Sequence, residues 1–152
     1  MGDYQTTSRW LERALKLHTE TQHLRREIRR LELEATSIVT PPGNGGRSSL
    51  PADKVGRAAA RIADETAKLA AMLAEIRQRK HEIRETIMRY TETPRHEEVL
   101  LRRYVEFQRW EDIAEAMTYE DKYVYRLRRE AVEQIAEHLQ EEGPWEKISH
   151  MN

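Results

Sequence analysis

Residues 10–35 read WLERALKLHTETQHLRREIRRLELEA, and within them Trp10, Ala14, Leu17, Thr21, Leu24, Ile28, Leu31 and Ala35 follow one another at alternating steps of four and three. That spacing gathers all eight on one stripe of an α-helix. A stripe sustained over this many heptads is the pattern of a coiled coil, not of an amphipathic helix lying on a globule. A second run repeats it with Val55, Ala59, Ile62, Thr66, Leu69, Leu73, Ile76, Lys80, Ile83, Ile87 and Tyr90. Between the two lies SIVTPPGNGGRSSLPA, residues 37–52, where Pro41, Pro42 and the cluster from Gly43 to Gly46 cannot continue a helix. Two long helices joined by such a loop fold back most simply as an antiparallel hairpin. With Ala35 opposite Val55, the register brings Trp10 to Lys80 and predicts an ammonium against an indole face.

Composition agrees with long, solvated helices. Of the 152 residues 35% are charged and 38% hydrophobic, and the net charge of −1 gives no basic signal for the chain as a whole. Positive charge that meets a nucleic acid must therefore be local. With no cysteine there is neither a disulfide framework nor a thiolate metal site. No apolar run approaches the roughly 20 residues that span a bilayer, so a soluble protein is expected.

The later long helix carries a second stripe of small residues, Gly56, Ala60, Ala63, Ala67, Ala70 and Ala74. Alanine is the best helix former and needs no further reason to be there. A two-helix hairpin, however, buries only one seam, and most helical stability comes from tertiary packing. The stripe through Ala60, Ala63, Ala67, Ala70 and Ala74 is therefore expected to be the face of a homodimer, with docking of the C-terminal segment as the competing use.

The proline at 94 divides the chain again. It disfavours helical geometry at Thr93 and suits the first turn of a new helix, so residues 1–93 read as the hairpin and 94–140 as a second domain, followed by a tail over 141–152. In the second domain PRHEEVLLRRYVEF presents Val99, Leu100 and Tyr104 on one side, the next helix begins near Trp110 with Ile113, Ala114 and Met117, and a third offers Val124, Leu127, Ala131, Val132 and Ile135. Three short helices, the last two separated by MTYE, have the spacing of a helix-turn-helix. The apolar positions leave Lys122, Tyr123, Tyr125, Arg126, Arg128 and Arg129 off the core face. These six are the candidate DNA-binding residues, with Tyr123 and Arg126 entering the major groove and Lys122 and Arg129 on phosphates.

The run LLRRYVEFQRWEDIAEAMTYEDKYVYRLRREAVEQI resembles the helix-turn-helix of sigma-factor region four. It is more closely similar to phage-encoded regulators of the autolysin-regulatory-protein type, which carry runs like Arg103-Tyr104-Val105, Trp110-Glu111-Asp112-Ile113-Ala114 and Val124-Tyr125-Arg126-Leu127. The likeness extends upstream through ATSIVTPPGNGG and DKVGRAAARIAD. It implies a cytoplasmic transcription regulator in a bacterial host, acting on double-stranded DNA at phage or prophage promoters, with late genes as the expected targets and host RNA polymerase as a further partner. Where proteins of that type carry a glycine at the turn and, two residues on, a serine as helix cap, this chain has Thr118 and Glu120.

A second reading is a coiled-coil interaction protein whose helix-turn-helix binds RNA polymerase or another protein instead of DNA. It draws on the acidic excess of residues 94–140. Catalytic readings find less. His96-Glu97-Glu98 begins like a zinc-protease motif, but Leu100 stands where the second histidine belongs, and GNGG is followed by no Lys-Ser/Thr pair that would make a phosphate loop. The expectation is an all-α binding protein with no enzymatic activity, cofactor or metal.

Overall fold

A computed structural model describes residues 3–39 and 52–142, and the chain is all-α. Its elements are α1 (Asp3–Leu11), α2 (Arg13–Val39), α3 (Ala52–Tyr90), α4 (Pro94–Tyr104), α5 (Trp110–Met117) and α6 (Asp121–Glu142). The first two are parts of one bent helix. At the break, the Glu12 N–H still donates to the Ser8 carbonyl (3.1 Å) and the Glu12 carbonyl accepts from the Lys16 N–H (2.8 Å), so the hydrogen-bond ladder runs through. Residues 40–51 of the expected loop and the tail from 143 lie outside the described residues.

The chain divides into two compact units, and not at Pro94. One is Thr19–Glu75; the other joins residues 1–18 to residues 76–152. The expected division falls at residue 93; by compactness, residues up to 18 and from 76, the open end of the helical hairpin, instead group with the C-terminal helices. The cause is α1, whose Trp10 and Leu11, with Ala14, share one buried cluster with Ala131, Val132, Ile135 and Leu139 of α6.

In the Thr19–Glu75 unit the α2 seam is the one expected, with Thr21, Leu24, Ile28 and Leu31 buried and Ala35 half-buried. The α3 side differs in part. Ile62, Leu69 and Leu73 are partly buried as expected, whereas Val55, Ala59 and Thr66 are exposed and Ala58, Glu65 and Met72 turn inward instead. The α3 seam is therefore rotated by one residue at alternate positions, and the methylene stem of Glu65 can cover apolar surface while its carboxylate reaches water. Arg61 and Glu27 stand 3.6 Å apart across the pair. The small-residue stripe, Gly56, Ala60, Ala63, Ala67, Ala70 and Ala74, is exposed along its length.

In the other unit two apolar clusters share α6. Its first turns pack Val124 and Leu127 against Val99, Ile113 and Ala114. Its later turns meet α1, Leu100 and Tyr104 of α4, and Ile83 and Ile87 of α3. Between α4 and α5 the chain turns at Phe107, which takes a left-handed φ of 61° and stacks on His18 with ring centres 4.5 Å apart. The Lys80 ammonium lies 5.4 Å from the centre of that same ring. Its cation–π partner is Phe107 and not Trp10, which is buried among apolar side chains, its indole N–H without an acceptor among the described residues.

Candidate nucleic-acid interface

The site is built on the turn between α5 and α6. The Tyr119 N–H donates to the Ala114 carbonyl (2.9 Å) and the Thr118 N–H to the Glu115 carbonyl (3.2 Å). This pair of bonds is a Schellman motif, and it requires a left-handed residue at the position Thr118 occupies, with φ 60° and ψ 44°. The Glu120 carbonyl then accepts from the N–H groups of Tyr123 and Val124 (3.0 and 3.1 Å), starting α6. With Val124 and Leu127 turned inward, helical periodicity sends Lys122, Tyr125, Arg126 and Arg129 outward, and all four are exposed. Tyr123 is half-buried. These five residues and Glu120 line one surface concavity of about 460 Å³.

Side chains from α4 reach this face, which the α6 sequence could not show. Arg95 donates to the Tyr123 hydroxyl at 2.8 Å, and Tyr123 meets Tyr119 edge to face at 4.7 Å. Next to it, Arg126 donates through Nε to Oε2 of Glu130 (3.1 Å) while Oε1 of the same carboxylate pairs with Nε2 of His96 (2.9 Å). His96 is fixed on its other side, where Nδ1 lies 2.6 Å from the Thr93 hydroxyl and 3.4 Å from Nε2 of Gln134. Thr93 is also the N-cap of α4, its hydroxyl accepting from the His96 N–H. The hydrogen bond from His96, followed by that from Arg126, holds the Glu130 carboxyl below the usual glutamate range.

Arg128 is the one candidate placed elsewhere. It donates through Nε to the Tyr104 hydroxyl (3.0 Å) and through a terminal nitrogen to the Ser8 hydroxyl (3.2 Å), with Glu12 at 3.8 Å. Burial pushes the Tyr104 phenol up, and the Arg128 charge opposes that. The Arg128 guanidinium also lies 5.8 Å from the Trp110 ring centre, which Arg103 approaches at 4.9 Å and Tyr125 at 5.3 Å. The structure therefore does not bring Arg128 together with the other five candidates: it follows core residue Val124 by four positions, one turn along the same side of the helix, and so braces α1, α4 and α6.

No protein-family model, curated protein or solved structure matches the chain. Among the described residues, no helix is long and apolar enough to cross a membrane.

Proposed function

We propose that the protein is a sequence-specific DNA-binding transcription regulator that lays α6 in the major groove. The observation that carries this reading is the two-sidedness of α6: Val124 and Leu127 are fully packed while Lys122, Tyr125, Arg126 and Arg129 stand together on the open side. A guanidinium pairs bidentately with the O6 and N7 edge of guanine, and a flexible ammonium meets a phosphate. Arg126 is the base reader in this scheme. Lys122, in the first turn, and Arg129, one turn beyond Tyr125, contact the backbone. Arg95, adjacent to Tyr123, adds a further positive charge from α4. The resemblance to sigma-region-four-type phage regulators supports phage or prophage promoters as targets, late genes among them, and RNA polymerase as a partner. A homodimer through the exposed alanine stripe would double the contact with DNA.

The acidic excess of residues 94–140 favours a second reading, in which the same concavity binds RNA polymerase or another protein. Selection of duplexes from a random-sequence pool, followed by binding measurements at several salt concentrations, separates the two. An enriched motif is expected. Arg126→Ala should relax one base step and cost about 1–3 kcal/mol, whereas Lys122→Ala should weaken all sequences alike and lower the salt slope by about one. No binding of duplex DNA by the wild type at low salt would leave the protein-binding reading in its place.

A further inference from the structure

Arg126 and Glu130 are an i, i+4 pair on an exposed helix face, and such pairs are common and weak. This one differs in what stands behind it. The Glu130 carboxylate is not a free-swinging partner, because its other oxygen is bonded to His96, whose side chain is only 11% exposed and is itself anchored on the α4 cap at Thr93 and on Gln134. Gln134 is tied in turn, its carbonyl oxygen accepting the Glu92 N–H at 3.0 Å. A continuous run of hydrogen bonds thus leads from the start of α4 to the guanidinium that the proposed function assigns to a base.

The point of attachment matters. Glu130 takes the Nε–H of Arg126, so the bond that holds the guanidinium is made through Nε and not through its pair of terminal nitrogens. That pair, set in a planar fork, is the element that matches the paired acceptors of a guanine edge. Arginine has about 2 kcal/mol of rotamer freedom to lose on being fixed, and a side chain already held in its binding geometry loses less of it at the moment of contact.

We infer that Glu130, held by His96, is a positioning residue for DNA recognition, fixing Arg126 by its Nε so that the terminal fork is presented to one guanine. This rests on the reading of α6 as a recognition helix. It also carries a cost in charge: a carboxylate beside DNA opposes the phosphates, so Glu130 favours the correct sequence while weakening binding to every sequence.

These opposed effects make the test specific. Glu130→Ala, compared with the wild type on the selected duplex and on a scrambled one at the same salt, should bind the scrambled duplex as well or more tightly. Its preference for the selected duplex should nevertheless fall about tenfold, at the base step that Arg126→Ala relaxes. Combining the two substitutions should lower that preference no further than Arg126→Ala alone. Glu130→Gln keeps the side chain's length and its acceptor for His96, so it guards against a fold effect and should give an intermediate loss. If Glu130→Ala lowers the melting temperature but keeps the wild-type preference, or tightens both duplexes equally, Glu130 is a helix-surface or purely electrostatic residue and the inference is overturned. A wild type that binds duplexes with no preference overturns the assignment of Arg126 as a base reader, and this inference falls with it.

Discussion

At the scale of single residues, two non-glycine residues among those described take left-handed backbone, and they do so for different reasons. Thr118 has φ 60° because the Schellman turn between α5 and α6 demands it, and the left-handed region costs an L-residue roughly 1–2 kcal/mol. Glycine would remove that strain at some loss of chain entropy in the unfolded state, so Thr118→Gly should raise stability by about 1 kcal/mol, read as a shift of a few degrees in the melting temperature. Phe107, with φ 61°, should gain nothing from the same change, because its ring is fixed between His18 and Lys80 and those contacts would be lost. The turn at Thr118 was legible in the sequence, since MTYE has helix-turn-helix length and a threonine where that turn favours glycine. The separate placement of Arg128 is not legible in the sequence, because three arginines in four residues look alike there. Only the four-residue step from Val124 distinguishes the one that turns inward.

At the scale of elements, the eight positions from Trp10 of α1 to Ala35 of α2 that alternate by four and three are all buried or half-buried, because each is apolar or small and the heptad pattern leaves one choice of face. On α3 the face was ambiguous. Alanine occupies so many positions that hydrophobic spacing fits two stripes, and the seam takes in Glu65, which no count of apolar residues would include. The difference between the two faces can be tested by placing charge on each. Ile28→Asp should bury an unpaired carboxylate in the seam and melt the Thr19–Glu75 unit, seen as a loss of helical circular dichroism. Ala67→Glu, on the exposed stripe, should keep full helicity, because glutamate forms helix well and has water around it there. In sedimentation the same variant should be monomeric beside a dimeric wild type. A wild type that sediments as a monomer removes the dimer face.

At the scale of the whole molecule, the division of the chain was the least legible feature. Nothing in the spacing of Trp10, Leu11 and Ala14 says whether they face α3 alone or also α6, since one apolar stripe can serve both. In the structure they help to complete the core beneath α6, and Ser8 and Arg128 are bonded across 120 positions of sequence. Leu11 is fully buried, so Leu11→Ala should cost about 2–5 kcal/mol in a thermal melt, and it should unseat α6, and with it the proposed DNA binding, at temperatures where the wild type stays folded, although it lies far from α6 in sequence. The same long-range closure has a consequence during synthesis. At roughly 5–20 residues per second the ribosome adds the 120 residues from Ser8 to Arg128 in about 6–24 s. Throughout that interval α1 has been made and α6 has not, and a tryptophan and a leucine destined for burial wait without their partner. The nascent chain is then open to chaperones, to proteases, and to the newly finished α6 of a neighbouring copy on the same message, which could accept α1 as readily as its own does.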